Sequence, residues 1–382
     1  MSDLPRLASL IFAVAVAACD SGSRDDGGAG ETFATDSAIA EPEDDAGKDA
    51  NGGQLTNGET QAGGVDEIPD EGGLGADAGK DTQAVRGDAV RFVAFGDSGT
   101  GDAAQKKVAD AIASVCAQHG CDFALYLGDN IYESGATGTD DAQFRDKFEI
   151  PFAALDFRFY VALGNHDYGS GGSNIAPNNA QSKAQIEYTQ HSKKWYLPNY
   201  YYAFREGPIA FFALDTNSVV MPEQFPLGGS LMPPAPADEQ QAWLQRAMAA
   251  SDAPWKMVFG HHPYVSNGEH GNAGDYAAFG EAKGVRLKQL FEESVCGAAQ
   301  VYFSGHDHDR EWLEPVCGTS FIVSGAGAKL RSLPGQGSPS RWSDATKHGF
   351  LWAEVSGETM TGVFYDEDGL ESYRDTVARL DQ

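Results

Sequence analysis

The chain has 382 residues and a formal net charge of −29, because its 56 acidic residues outnumber 27 basic ones. A protein that binds nucleic acid presents a basic surface to the phosphate backbone, so this balance excludes nucleic acid as the expected partner. The balance is compatible with a small phosphorylated substrate, since bound metal ions would dominate the local field whatever the net charge.

The N-terminal segment, residues 1–19, is predicted to be a signal peptide. Its apolar stretch from Leu7 to Ala18 has signal-peptide length and is too short to span a membrane stably. The stretch ends in Val16-Ala17-Ala18-Cys19, which resembles a bacterial lipobox. We therefore predict that Cys19 becomes a lipidated N-terminus after cleavage. The alternative is an ordinary secretory signal in which the cysteine is incidental.

Residues 20–86 are rich in Gly, Asp, Glu and Ala and carry 17 acidic against four basic residues, a net of −13. Such a segment cannot bury enough apolar surface to fold, so we predict an acidic disordered tether. Residues 87–382 are then the catalytic domain. The expected location is outside the cytoplasm, with the lipid of Cys19 as the only membrane anchor, either periplasmic or at the cell surface; otherwise the protein is secreted.

From Val90 onward, apolar segments of strand length alternate with segments of helical periodicity. The predicted strands are 91–95, 123–127, 157–163, 209–214, 255–259, 301–304, 319–323, 350–355 and 361–365. The predicted helices are 104–115, 140–149, 181–194, 238–250 and 284–294. Alternation in the first part and strands alone in the last part predict an α/β sandwich with a mixed sheet.

Five short polar motifs, in a fixed order, each follow an apolar run. They are Gly96-Asp97-Ser98-Gly99, Gly128-Asp129-Asn130, Gly164-Asn165-His166-Asp167, Gly260-His261-His262-Pro263 and Gly305-His306-Asp307-His308. Because the carboxyl ends of strands converge at one edge of an open sheet, residues far apart in sequence can meet there. Oxygen and nitrogen donors of these types suit a pair of metal ions, which predicts a two-metal hydrolase.

The first three motifs contain residues with different expected roles. Asp97 and Asp129 are candidate ligands, since a carboxylate can bridge two cations. Asn165 is assigned to a metal and His166 to the substrate, because adjacent residues point in different directions. Asp167 would orient His166 through its ring N–H. The alternative for His166 is a purely structural role.

The remaining candidates are histidines. Only one of His261 and His262 is expected to face the metals. His306 and His308 alternate and would point to one side of an extended segment, which is a chelating arrangement. His270 lies in a glycine-containing loop and is either a substrate-contacting acid or base or an exposed residue.

Tyr132 follows Asp129 by three residues. A phenol with a pKa of about 10 is a poor ligand unless the metal makes it ionise, as trivalent iron would. The alternative is a core tyrosine at the base of a loop.

Four cysteines remain if Cys19 is the lipid site, an even number in an exported chain. Cys116 and Cys121 lie at the end of a predicted helix and the start of a strand, where they can form a short disulfide. Cys296 and Cys317 flank a predicted strand and can connect neighbouring segments. The alternative is that these are buried free thiols.

The order of the motifs resembles the calcineurin-like metallophosphoesterase superfamily, and Tyr132 in Gly-Asp-x-x-Tyr resembles its purple acid phosphatase branch. The similarity is greatest to the small tartrate-resistant type, and it extends to Ala184-Gln185-Ile186-Glu187-Tyr188 and Ser324-Gly325-Ala326-Gly327. The resemblance covers residues 90–365. It implies a β-sandwich of mixed sheets flanked by helices, with a dinuclear metal site at the carboxyl ends of strands.

The resemblance also implies a set of ligands. The residues that would bind iron(III) are Asp97, Asp129, Tyr132 and His308. The residues that would bind a divalent iron, zinc or manganese ion are Asp129, Asn165, His261 and His306. His166 and His270 would contact the substrate and assist the leaving group.

The implied activity is hydrolysis of phosphate monoesters by a metal-bound hydroxide, with release of inorganic phosphate. One alternative is a phosphodiesterase of the same superfamily, acting on nucleotides or phospholipid headgroups. A second alternative is a non-catalytic surface lipoprotein, which the full set of candidate ligands disfavours.

Overall fold

The description that follows is of a computed structural model and covers residues 89–169, 179–220, 236–276 and 284–380. The predicted signal peptide, Cys19 and the tether at 20–86 lie outside the described residues. Within the described part of the chain, strands and helices follow one another much as the periodicity of the sequence indicates.

Fourteen strands occur among the described residues. They are β1 (Val90–Phe95), β2 (Phe123–Leu127), β3 (Arg158–Ala162), β4 (Trp195–Tyr196), β5 (Tyr202–Glu206), β6 (Ile209–Ala213), β7 (Trp255–Phe259), β8 (Val301–Ser304), β9 (Arg310–Leu313), β10 (Ser320–Ser324), β11 (Ser340–Asp344), β12 (Gly349–Ser356), β13 (Thr359–Asp366) and β14 (Glu371–Ala378). The α-helices in the same ranges are α1 (Ala103–His119), α2 (Ala142–Phe144), α3 (Ala180–Glu187), α4 (Thr216–Val220), α5 (Ala237–Ala250) and α6 (Val285–Leu290).

The strands form two mixed sheets of seven strands each. The first has the order β14-β13-β12-β1-β2-β3-β4, and the second has the order β11-β9-β10-β8-β7-β6-β5. In the first sheet β1 to β4 are parallel, and in the second β6, β7, β8 and β10 are parallel. The predicted α/β sandwich of mixed sheets is thus confirmed.

Aromatic side chains join the two sheets face to face. The ring of Phe92 in β1 lies 5.5 Å from that of Phe211 in β6 and 5.7 Å from that of Phe303 in β8, in edge-to-face geometry. Alternate residues of the second sheet, such as Phe212 and Tyr302, point to its other face and belong to a separate buried cluster with residues of α5 and α6. Strands covered on both faces explain why the sequence shows continuous apolar runs rather than alternation.

Local hydrogen bonds explain which predicted boundaries hold and which differ. Helix α1 begins where expected, because Asp102 accepts hydrogen bonds from the backbone N–H groups of Ala104 and Gln105, each at 3.0 Å. The predicted helix 181–194 ends at Glu187, and beyond it Ser192 bonds to nearby backbone N–H groups instead of continuing the helix. The prediction missed β4, β5, β9, β11 and β14. The alternating polar residues of β14 are mostly exposed at the edge of the sheet.

Both predicted disulfides are present. Cys116 is bonded to Cys121 and Cys296 to Cys317, with Cα–Cα distances of 5.1 and 5.3 Å. Disulfides persist in oxidising compartments, so the two bonds favour an extracytoplasmic location. None of the helices in the described ranges combines the length and apolar character that crossing a bilayer requires.

Candidate metal centre

The five motifs converge at the carboxyl ends of parallel strands from both sheets. Asp97 follows β1, Asp129 follows β2 and Asn165 follows β3 in the first sheet, while His261 follows β7 and His306 follows β8 in the second. The face-to-face packing of the sheets brings these ends together. All five side chains are at most 8% exposed.

One group of donor atoms surrounds the phenol of Tyr132. Its Oη donates to Oδ1 of Asp97 at 3.1 Å and lies 3.3 Å from Nε2 of His308. The same His308 nitrogen is 3.5 Å from Asp97 Oδ1. Carboxylate, phenol and imidazole atoms therefore meet around one point.

A second group contains an amide and two imidazoles. Oδ1 of Asn165 lies 3.0 Å from Nε2 of His261 and 3.0 Å from Nδ1 of His306, and the two ring nitrogens are 3.1 Å apart. The other ring nitrogen of His261 donates to the carbonyl of Leu127 at 2.8 Å. His261 therefore turns Nε2 toward Asn165 and His306.

Asp129 lies between the two groups. Its Oδ1 is 3.5 Å from Nε2 of His261, and together with Asp97 it forms a buried Asp–Asp–His cluster whose ligand atoms all lie within 4.8 Å of one another. Burial alone would raise the pKa of Asp129, but the charges of His261 and His166 and a backbone hydrogen bond lower it to about 2.

The electrostatics of the cluster fit a bound cation. Burial and the nearby charge of Asp129 raise the pKa of Asp97 to about 8. Burial also lowers the pKa of His308 to about 3 and that of His306 well below its usual value. The negative charges of the two carboxylates repel each other, and a metal ion would relieve that repulsion. The neutral imidazoles would offer their ring nitrogens to the ion.

Backbone geometry also marks this site. Asp97, Asp129 and His306 have φ values of 58°, 53° and 69°, in the left-handed region that residues other than glycine seldom adopt. Such conformations persist only where the surrounding structure enforces them, and they cluster at functional sites. The segment around His306 is thus bent rather than extended as predicted, although His306 and His308 both reach the cluster.

Glycines precede the candidate ligands because the ligands occupy the space a side chain would need. A Cβ at Gly164 would overlap the backbone N and the carboxylate of Asp129, and one at Gly305 would overlap the carboxylate of Asp97. The Gly at these two positions therefore allows the strand ends to approach closely.

Gly164→Ala is expected to lower the free energy of unfolding by roughly 1–3 kcal/mol, because the new methyl group must displace Asp129. Chemical denaturation of the metal-free protein measures this directly. The matched control is Gly138→Ala, whose Cβ would meet only Asp140 Oδ1, at 3.1 Å, among the atoms within 4 Å. Equal stability of the two variants would contradict the close approach at Gly164.

The sequence profile of the family described as calcineurin-like phosphoesterase matches residues 90–310, which is more than half of the chain. The chain belongs to this family. It is a metal-dependent phosphoesterase, and the cluster around Asp129 is its candidate two-metal site.

The phosphoesterase is similar to proteins named tartrate-resistant acid phosphatase type 5. The pig protein (Sus scrofa) is 29% identical over 318 residues, which cover 76% of this chain and 87% of the relative. The human protein is 29% identical over 319 residues, covering 76% and 91%. Purple acid phosphatase 7 of Arabidopsis thaliana is 24% identical over 315 residues, covering 76% and 86%. These similarities confirm the resemblance seen in the motifs.

Solved structures share the fold. GAP50, described as the anchor in the inner membrane complex of Plasmodium, matches with a TM-score of 0.61 and 20% identity, covering 78% of this chain and 90% of that one. A dimetal phosphatase from Danio rerio matches with a TM-score of 0.51 and 14% identity, covering 76% and 99%. At these identities the likeness concerns the fold alone.

His166 lies beside the metal centre of the phosphoesterase with one ring nitrogen directed at it. Its Nδ1 donates to the carbonyl of Glu133 at 2.7 Å, so Nε2 is the nitrogen that can exchange a proton. That Nε2 is 3.9 Å from Oδ2 of Asp129. The backbone N–H of His166 also donates to Asp129 at 2.9 Å, which fixes the position of the turn.

His270 packs against one of the candidate ligands. Its ring lies 4.2 Å from that of His306. Nη1 of Arg331 donates to Nε2 of His270 at 2.7 Å, so this nitrogen is an acceptor and the neutral ring carries its proton on Nδ1. Burial lowers the pKa of His270, which also favours the neutral form.

The predicted contact between Asp167 and the ring of His166 is wrong. Asp167 instead accepts hydrogen bonds from the backbone N–H groups of Asn130, Ile131 and Gly164, at 2.8 to 3.1 Å. Its carboxylate is fully buried, and the His166 Nδ1 has the Glu133 carbonyl as its hydrogen-bond partner instead. Asp167 thus holds together the turns that carry the ligands.

The structure also separates residues that the sequence left paired. His262 points away from the donor atoms of His261, and its Nδ1 lies 2.9 Å from Oγ1 of Thr216. Asp307 accepts a hydrogen bond from the backbone N–H of His270 at 2.9 Å and so positions that loop. His261 and His306 therefore face the metal site, whereas their neighbours in sequence, His262 and Asp307, bond to residues of the surrounding loops.

Two residues near the site were missed by sequence reasoning. Lys329 Nζ lies 3.8 Å from the centre of the Tyr132 ring, and Arg331 contacts His270. Neither residue is a metal-ligand type, so a search for ligand spacing passes over both. The available signal was a pair of cations directly after Ser324-Gly325-Ala326-Gly327 in a strongly acidic chain.

Proposed function

We propose that this phosphoesterase hydrolyses phosphate monoesters at a pair of metal ions, iron(III) and a divalent iron, zinc or manganese ion, and releases inorganic phosphate. The observation that carries the proposal is the phenol of Tyr132 between the Asp97 carboxylate and the His308 imidazole. Relatives named acid phosphatases, similar over 76% of the chain, support the choice of a monoester.

Tyr132 is what selects the trivalent ion. Burial, and then the negative charges of Asp129 and Asp97, hold its pKa well above the usual value. A phenolate in this position therefore needs a strongly acidic cation, and trivalent iron meets that need. In the proposed assignment, the ligands of iron(III) are Asp97, Asp129, Tyr132 and His308. The ligands of the divalent ion are Asp129, Asn165, His261 and His306.

The metal pair, when bound, supplies Lewis-acid polarisation of the phosphoryl oxygens and makes water a better nucleophile near neutral pH. The side chains supply position and protons. Asn165 and Asp129 hold the second site together, and the full burial of His261 keeps water from that side of the cluster. The described site thus needs no covalent intermediate on a serine, cysteine or threonine.

His166 is the proposed proton donor to the leaving group. Its Nδ1–H is fixed on the Glu133 carbonyl, so Nε2 is left to carry the proton that neutralises the departing alkoxide. His270 has a different role, because Arg331 holds its Nε2 as an acceptor. We therefore assign to His270 a neutral contact with the substrate through Nδ1–H.

The visible spectrum of the purified protein tests iron and Tyr132 together. We expect a broad band that gives a pink or purple colour, because a phenolate bound to iron(III) absorbs visible light. Tyr132→Phe should lose the band and most of the activity, whereas Tyr196→Phe in β4 should keep both. A colourless protein that hydrolyses phosphate monoesters would overturn the assignment of iron to Tyr132. The proposed hydrolysis of monoesters would not be affected.

The diester alternative is tested in the same preparation. A monoester and its methyl diester with a shared p-nitrophenol leaving group give the ratio of the two activities directly. We expect the monoester to be preferred, and a preference for the diester would overturn this part of the proposal. Export and lipid attachment through Cys19 remain predictions from the sequence.

A further inference from the structure

Two cations stand beside the metal centre of a chain that has 56 acidic and only 27 basic residues. Lys329 lies over the ring of Tyr132, with Nζ 3.8 Å from the ring centre. Arg331 donates to His270, whose ring packs 4.2 Å from the ring of His306. Each cation is therefore separated from the metal site by a single side chain.

The backbone of residues 328–331 is held by hydrogen bonds to the loops that carry the candidate ligands. The N–H of Ala328 donates to the carbonyl of Asp97, and the N–H of Arg331 donates to the carbonyl of His308, both at 3.1 Å. Asp97 and His308 are two of the proposed iron ligands. The placement of Lys329 and Arg331 is thus determined by the same loops that position the metals.

Both cations have acidic neighbours that leave them available to a ligand. Lys329 Nζ is 3.0 Å from Glu133 and Arg331 Nε is 3.9 Å from Glu269, and the side chains of these acids are 66% and 55% exposed. The cations are less exposed, at 27% and 39%. Ion pairs with such exposed partners contribute little, so an anion fixed by the metals can displace the glutamates.

We propose that Lys329 and Arg331 bind a second anionic group of the substrate, so the preferred substrates are phosphate monoesters that carry a further phosphate or carboxylate. This inference rests on the proposed monoester hydrolysis and names its substrate class. In this proposal the ester phosphate lies at the metals, and the second anion lies between Lys329, which covers Tyr132, and Arg331, which contacts His270. An ammonium and a planar guanidinium both bind such anions, the guanidinium through paired N–H donors.

Three aryl phosphates of similar shape test the inference. 4-Carboxyphenyl phosphate and 1,4-phenylene bisphosphate carry a second anion, and 4-carbamoylphenyl phosphate is neutral at the same position. We expect the double variant Lys329→Gln/Arg331→Gln to lose about tenfold more kcat/KM on the two anionic substrates than on the neutral one, mainly through KM. High salt should reduce the preference of the wild type for the anionic substrates.

Two further variants serve as a control and as a test in the opposite direction. Arg341→Gln removes a cation of similar exposure in β11 that bonds to Glu314, just after β9, and to Asp375 in β14. It should leave the substrate ratios as in the wild type. Glu133→Gln removes the acid that competes for Lys329, so it should move the ratios in the opposite direction and favour the anionic substrates.

The outcomes are distinct. A loss confined to the bisphosphate supports the inference and narrows the class to bisphosphates. Equal losses on all three substrates, or ratios equal to those of the wild type, would overturn the inference while monoester hydrolysis stands. If the metal-loaded wild type hydrolyses none of the three, the proposed function fails and the inference fails with it.

Discussion

Replacing Asp129 by alanine is expected to abolish metal binding and hydrolysis together. Its carboxylate lies between the Tyr132 group and the Asn165 group, so both ions lose a ligand at once. Lewis-acid catalysis supplies several kcal/mol of transition-state stabilisation, so activity should fall by at least about a thousandfold. Elemental analysis and assay of the same preparation measure both losses.

A stability measurement shows whether that variant fails for the expected reason. Metal ions that bind only the folded state raise its melting temperature, so chelation should lower that of the wild type and leave that of Asp129→Ala unchanged. The control is Asp110→Ala, which removes an exposed aspartate paired with Lys106 and should keep two metals and full activity. Two metals per chain in Asp129→Ala would rule out the bridging role.

His166→Gln is expected to keep both metals and to slow turnover by about 10²–10⁴-fold, the usual contribution of a positioned acid or base. Glutamine can retain the hydrogen bond to the Glu133 carbonyl, but it cannot deliver a proton from the position of Nε2. The loss should be large for an alkyl phosphate and small for p-nitrophenyl phosphate, whose leaving group needs no proton. Rates on the two substrates and metal content are the measurements.

His191→Gln provides the matched control, because His191 is exposed beside the ring of Tyr188. It should behave as the wild type on both substrates. A His166→Gln variant that slows both substrates equally would show that His166 positions the site without donating a proton.

The predicted strands and the motifs that follow them account for most of the site. Parallel strands end at the same edge, so Asp97, Asp129 and Asn165 had to lie close together once the strands were recognised. The same rule applies to His261 and His306, which follow β7 and β8. The segment 140–149, predicted as one helix, is one α-helical turn, Ala142–Phe144, followed by the π-helical Arg145–Glu149.

The sequence did not predict which residues of neighbouring loops contact one another. The neighbour of His166 in sequence, Asp167, turns inward to bind backbone N–H groups of the 130–131 turn. The ring of His166 finds the Glu133 carbonyl instead. Which residue accepts an N–H depends on distances of a few tenths of an ångström between turns, and spacing along the chain does not encode them.

The sequence by itself determined the α/β class and the residue types that collect around the metals, because periodicity and strand-end position are local properties of the chain. Only the tertiary structure decided how those residues divide into two donor groups on either side of Asp129. It also decided that Lys329 lies over the ring of Tyr132 and that Arg331 contacts His270. These relations depend on how the two sheets pack face to face. That packing joins segments far apart in the chain, as in the hydrogen bond from Ser324 to Ala94, which are 230 residues apart.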